Sequence, residues 1–188
     1  MELKADELVL AQTGDGCTAF HMAAENNHVE TLLKLWFWAG DMQLHPKELK
    51  KSLFLATDKY GNFAWHRAAV FGSLEALETL WNLAREVKLN TDELLLSQNG
   101  HGFTAFQLAA VKNHVKALLK MWVWAEETQL NPKDLKNKLF LAQDIDGYIA
   151  WHRAAEFGSK EALDTLWSWA KELELETHEL LLHGIFFK

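Results

Sequence analysis

Gly16 to Ala39 reads GCTAFHMAAENNHVETLLKLWFWA, and Gly102 to Ala125 reads GFTAFQLAAVKNHVKALLKMWVWA. The second stretch reproduces the first without a gap, at a spacing of 86 residues. The same spacing carries Gly61 onto Gly147 and Leu89 onto Leu175, and it relates LKADELVLAQTGDG from Leu3 to LNTDELLLSQNGHG from Leu89. Nearly the whole chain of 188 residues is therefore a tandem duplication. Self-similarity at a fixed period is the sequence signature of stacked-repeat architectures.

Each half divides again, because GCTAFHMAA at Gly16 and GNFAWHRAA at Gly61 are versions of one another. Four modules thus start near Gly16, Gly61, Gly102 and Gly147, spaced 45, 41 and 45 residues apart. Residues 1–15 form a partial N-terminal module, 171–188 a C-terminal capping segment, and the whole of 1–188 is expected to be a single domain. The alternation of long and short spacings makes the pair the true period.

Within a module the residues predict two helices and a turn. From Thr18 to about Asn26 the residues Ala19, Phe20, Ala23 and Ala24 share one helical face, and the paired alanines let a second helix approach closely. After the Asn26-Asn27 break, Val29, Leu32, Leu35, Trp36 and Ala39 recur at spacings of three and four, with Glu30 and Lys34 opposite. Counterparts of this outer helix are Leu74 to Ala84, Val115 to Ala125 and Leu163 to Ala170. The long modules continue with LHPKELKKSLFLA and LNPKDLKNKLFLA, in which Pro46 and Pro132 follow a polar residue and signal a helix start. The short modules carry LNTDELLLSQ and LETHELLLHG there, where Thr91-Asp92-Glu93 opens a single turn. TDKYG, QNGHG and QDIDG end in Gly61, Gly102 and Gly147 and read as hairpin-like tips. The fold expected is all-α: a solenoid of stacked helix pairs, with an extra short helix in alternate modules.

Composition bounds the function. The chain is 49% hydrophobic and 24% charged, as folded proteins are, and its ten glycines and two prolines are too few for a turn-rich β-sandwich. A formal net charge of −7 with interspersed signs argues against nucleic-acid and membrane-surface binding. No apolar run is long enough to span a bilayer, and MELKADELVLAQ lacks the pattern of a signal peptide. The single cysteine, Cys17, excludes an internal disulfide framework. An intracellular location, cytoplasmic or nuclear, is expected.

These modules resemble the ankyrin-repeat family, whose signature is a glycine-ended turn, a T-P-L-H-x-A-A helix and a Gly-His break. Gly16 precedes TAFHMAA and Gly102 precedes TAFQLAA, each followed by Asn-His; Gly61 precedes FAWHRAA and Gly147 precedes IAWHRAA, each followed by Gly-Ser. Ala19, Ala64, Ala105 and Ala150 replace the family's proline, and modules of 41 to 45 residues exceed its usual 33 through the segments at Pro46 and Pro132.

The resemblance implies that His21, His66 and His152, with Gln107 in the remaining module, bond to backbone and to the neighbouring turn. A rival reading makes the His66-Arg67 and His152-Arg153 pairs an enzymatic or metal-dependent site. No Ser or Cys recurs beside these pairs, none of the nine histidines shows zinc-ligand spacing, and glutamine replaces the histidine once. The nine tryptophans are expected in the core or between packed modules, and Arg67 and Arg153 are expected to pair with carboxylates of adjacent modules, the rival reading being that both line an anion-binding groove. No cofactor and no catalytic residue is assigned.

What the resemblance implies about function is a protein-interaction module that grips a partner through turn tips and the concave inner-helix face. The tips offer Asp15 and Cys17, Tyr60 and Asn62, His101 and Phe103, and Ile145, Asp146 and Tyr148. The helix ends add Glu25 and Asn26, Val70 and Phe71, Val111 and Lys112, and Glu156 and Phe157. A further alternative is a scaffold array, natural or laboratory-made, with no partner of its own. Ile185, Phe186 and Phe187 are apolar where arrays carry polar caps, which suggests docking on the last helix pair or self-association through exposed terminal modules.

Overall fold

Capping residues and left-handed residues cut this chain into alternating inner and outer helices. The computed structural model describes residues 5–41, 46–127 and 131–173, and among these all regular structure beyond two isolated β-bridges is helical. The chain divides into two compact units, 1–91 and 92–188. The first unit holds α1 (Ala5–Val9), α2 (Ala19–Glu25), α3 (Val29–Asp41), α4 (Pro46–Leu55), α5 (Ala64–Phe71) and α6 (Leu74–Glu86). The second holds α7 (Thr91–Leu96, opening at the boundary), α8 (Ala105–Val111), α9 (Val115–Glu126), α10 (Pro132–Phe140), α11 (Ala150–Glu156) and α12 (Lys160–Glu172).

Both proline-led helices, α4 and α10, form as expected. The last outer helix opens three residues earlier than its apolar spacing indicated, directly after Ser159, just as α6 opens after Ser73. LETHELLLHG and the apolar residues Ile185, Phe186 and Phe187 lie outside the described residues.

Inner helices start with a reciprocal cap. The Thr104 hydroxyl accepts the Gln107 amide at 3.2 Å while Gln107 Oε1 accepts the Thr104 amide at 2.8 Å, and Thr18 with His21 Nδ1 builds the same box in the first unit. Phe63 and Ile149 have no hydroxyl, so only the returning half survives, with His66 Nδ1 accepting the Phe63 amide at 3.2 Å and His152 Nδ1 that of Ile149 at 3.4 Å.

Each inner helix ends in the same turn. Asn27, Gly72, Asn113 and Gly158 take positive φ, and the following amide bonds back five residues, as in His28 to the Ala23 carbonyl at 2.9 Å and Ser73 to Ala68 at 2.9 Å. Left-handed backbone is open to glycine and next best to asparagine, which explains why these two types alternate at the breaks.

Packing joins neighbouring modules inside each unit: α2 lies on α5 and α3 on α6, and likewise α8 on α11 and α9 on α12. Ala23, Ala24, Ala68 and Ala69 are buried, so the inner helices approach with no bulky side chain between them. Trp36 stacks on Phe20 (centroids 6.1 Å) and meets Phe54 edge-on at 6.4 Å. Trp122 repeats this with Phe106 and Phe140 and gains Trp169 at 4.3 Å, where the first unit has Leu83. Aromatic pairs of this kind contribute roughly 0.5–1.5 kcal/mol beyond the area they bury. Trp38 and Trp167 depart from the expectation of a tryptophan core, since each is nearly half exposed, with Lys34 lying over the first ring and Lys171 over the second.

Candidate functional site

The tips are closed by one side chain each. Asp58 Oδ1 accepts the amides of Tyr60 (2.8 Å) and Asn62 (2.9 Å), and Asp144 Oδ1 those of Asp146 (2.9 Å) and Tyr148 (3.0 Å). Asn99 does the same for His101 and Phe103, and the Thr13 hydroxyl accepts the Cys17 amide. Tip then meets tip through backbone within each unit: the Lys59 amide donates to the Asp15 carbonyl at 2.9 Å, and Ile145 to His101 at 3.2 Å.

His21 and His66 serve the fold. His21 is fully buried; its Nε2 donates to the Asn62 carbonyl at 3.0 Å, across to the next module's tip. Gln107 makes the equivalent bond to Tyr148 at 3.1 Å and adds one to Ala142 at 2.9 Å. His66 is also fully buried, its Nδ1 occupied by the Phe63 amide, so it faces no open cavity. Among the described residues no group of three or more His, Cys, Asp or Glu is placed to hold a metal.

Burial pushes His21 below its ordinary value of 6.5, outweighing the Asn62 carbonyl that favours its charged form. The unfolded chain takes up this proton as pH falls through 6.5 and the folded chain resists, so stability drops as pH falls below that value. We expect His21→Gln, which installs the second unit's solution, to stay within about 1 kcal/mol of the parent at neutral pH. Its Tm against pH is expected to be flatter below pH 6.5; an unchanged slope removes His21 as the group responsible.

Both arginines pair with carboxylates, Arg67 across to the preceding module as well as with its own tip, Arg153 within its own module alone. Arg153 donates through Nε to Asp144 at 2.6 Å, Nη2 to Asp146 at 2.6 Å and Nη1 to Glu156 at 2.8 Å, all within its own module. Arg67 reaches its own Asp58 at 3.3 Å and, as expected, Glu25 of the preceding module. The reason for the departure lies at the position equivalent to Glu25, which is Val111 in the second unit and offers no charge. The Arg153 guanidinium also lies over Tyr148 (4.5 Å) and Phe103 (5.2 Å).

Two residues assigned to the binding surface are not on it. Cys17 is 3% exposed and Asn62 8%, because both directly follow the left-handed glycine of a tip and turn inward. Asn62 Nδ2 is held by Asp58 at 3.0 Å, and burial raises the Cys17 thiol above its ordinary value. Phe103 and Tyr148, at the same register, are too large to enter and remain partly exposed against Arg153. Asp15 is tied to Lys59, and Glu25, Asp146 and Glu156 to the arginines. Asn26 bonds to the Met22 carbonyl, Val70 and Val111 are half-buried, and His101 and Lys112 are exposed. Tyr60, Phe71, Ile145 and Phe157 are between 47% and 69% exposed, with Lys59 lying over the Tyr60 ring and Arg67 over that of Phe71.

An exposed apolar stripe on the outer helix was not foreseen: Leu33 and Phe37 one turn apart on α3, with Leu119 and Val123 in register on α9. Its signal was present in the sequence as a third apolar row beside Glu30 and Lys34.

A turn tip closed by its own side chain, a capped inner helix, a left-handed break and an amphipathic outer helix follow one another from Thr13 to Ala39. Residues 15–39 match the ankyrin repeat. The remaining helix pairs, which share its caps, breaks and tip bonds, are consistent with ankyrin-like repeats. Ankyrin repeats in general are interaction modules without enzymatic activity. No curated protein matches the chain. No described helix is long and apolar enough to cross a membrane.

Proposed function

We propose that this ankyrin-repeat chain binds a protein partner through its tips and the ends of its inner helices, and that it is not an enzyme. The observation that supports this is the contrast within the surface. The polar tip residues are largely committed to internal bonds, whereas the large side chains of Tyr60, Phe71, Ile145 and Phe157 stay about half exposed or more. Exposed aromatic and large apolar groups on a rigid support are the usual anchors of protein interfaces. A net charge of −7 disfavours nucleic acid as the partner, and a single buried cysteine suits a reducing, intracellular compartment.

Affinity capture from a cell extract, with captured proteins quantified against the parent chain, tests the reading. Tyr60→Ser with Phe71→Ser in the first unit, and Ile145→Ser with Phe157→Ser in the second, alter exposed side chains and are expected to leave Tm within a few degrees. Recovery of the specific partner is expected to fall at least about tenfold in one or both double variants. Equal recovery by both removes this surface from the function.

A further inference from the structure

The tandem duplication allows each site in one unit to be compared with its counterpart in the other. At the far end of the outer helices Lys136 is nearly buried, its Nζ over the Trp122 ring (4.7 Å), and it is held by Glu126 at 2.8 Å and Glu172 at 2.9 Å. Lys50 occupies the equivalent place in the first unit, over Trp36 at 4.9 Å, and Glu86 takes it at 2.6 Å as Glu172 takes Lys136. The second carboxylate is absent, because Gly40 stands where the second unit has Glu126.

An open cavity of about 460 Å³ lies there, lined by Gly40, Lys47, Lys50, Lys51, Glu86, Val87 and Lys88. Four lysines face the one carboxylate of Glu86, on a chain whose overall charge is −7. Among the described residues no carboxylate pairs with Lys47, Lys51 or Lys88. At the matching positions the second unit has Asn137 for Lys51 and Glu174 for Lys88, so the excess of positive charge belongs to the first unit alone.

Lys88 closes α6 in a left-handed turn at φ +58, with the Leu89 amide bonding back to the Ala84 carbonyl at 2.9 Å, and its side chain lines the cavity.

The geometry points to a carboxylate-binding pocket at Gly40, Lys47, Lys50, Lys51 and Lys88 that takes a glutamate-rich segment of a partner protein, one carboxylate seating on Lys50 as Glu126 seats on Lys136. The occupant's chemistry is read from the sister unit, where a glutamate side chain of the chain itself fills the place. The cavity is larger than one carboxylate and its lysines come from both α4 and the turn after α6, so it suits consecutive acidic side chains better than a single small ion. Lys47 sits in the first turn of the ten-residue α4, where helix amides also favour negative charge. This pocket is separate from the tips, and either surface can fail without the other.

Binding of a fluorescein-labelled hexaglutamate peptide, followed by anisotropy at low salt, tests the assignment. The parent chain is expected to bind, with affinity falling steeply as salt rises. Gly40→Glu supplies the missing carboxylate and is expected to weaken binding at least about tenfold. A Cβ at position 40 meets Lys50 Cε at 2.7 Å, the movable end of a flexible side chain, so the variant is expected to fold. Lys47→Ser with Lys51→Ser, two exposed positions, is expected to weaken binding similarly, and Lys112→Ser, an exposed lysine of the second unit, to leave it unchanged. No binding by the parent, equal binding by the Gly40 and double-lysine variants, or binding of citrate or inorganic phosphate without the peptide overturns the proposal.

Discussion

Arg153→Leu is expected to destabilise the protein by about 3–5 kcal/mol, and adding Asp144→Asn is expected to restore most of the loss. Arg153 has 11% of its side chain exposed and Asp144 none, so removing the guanidinium strands a buried carboxylate. Asp144 keeps the two backbone amides of its turn, but these were already present and do not replace the lost charge. The four modules display the alternatives. Asp58 and Asp144 occur with Arg67 and Arg153 nine residues on, whereas Asn99 occurs with Leu108 and Thr13 with Met22. An ionised turn residue thus goes with an arginine and a neutral one with an apolar side chain. The double substitution recreates the Asn99 and Leu108 arrangement, whose turn has the same pair of 2.9 Å bonds. Urea denaturation of the four members of the cycle measures the coupling. A double variant as unstable as Arg153→Leu, or a single variant within about 1 kcal/mol of the parent, contradicts the account.

Gly102→Ala is expected to cost about 2–4 kcal/mol, while Gly147→Ala costs about 1–2 kcal/mol. Both glycines have φ near +80, at +76 and +80, so the backbone strain imposed by a side chain is shared. They differ in what the new methyl meets. At Gly102 it would lie 2.7 Å from the Ile145 amide nitrogen, and at Gly147 nothing is within 4 Å. The neighbour at Gly102 is backbone and donates the bond that joins one tip to the next, so it cannot step aside without breaking that bond. Gly16→Ala, 2.9 Å from the Lys59 amide, is expected to behave like Gly102→Ala. Thermal denaturation separates the two classes by several degrees, and equal Tm losses at positions 102 and 147 would remove close tip seating as the reason for glycine.

Helix pairs, proline-led third helices and the structural use of His21 were legible in the sequence because each has a local cause: apolar spacing, a helix-start residue, or replacement by Gln107. The tip surface was legible only in part. Position in a turn predicts exposure of backbone, yet Cys17 and Asn62 point inward because the preceding glycine is left-handed, and one register position then holds two small buried residues and two large emergent ones. The Arg153 cluster needed three dimensions, since its carboxylates come from positions nine, seven and three residues away with no common periodicity. The lysine-lined cavity was hidden for the opposite reason. Its decisive residue is Gly40, which marks the place by lacking the side chain that Glu126 provides.

Asn27 and Asn113 each do more than turn the chain. The Asn27 carboxamide accepts the Ala76 amide at 2.9 Å and so caps α6 of the following module, while Asn113 does the same for Ala162 in α12. Glycine at 72 and 158 has no side chain with which to reach forward. Long modules are therefore donors of a clasp and short modules its recipients. Losing a single module by recombination would set two like members side by side and leave a clasp empty or missing. Gain or loss of a long and short couple keeps every clasp matched, which makes the couple, and not the individual repeat, the coin in which such a lineage lengthens or shrinks.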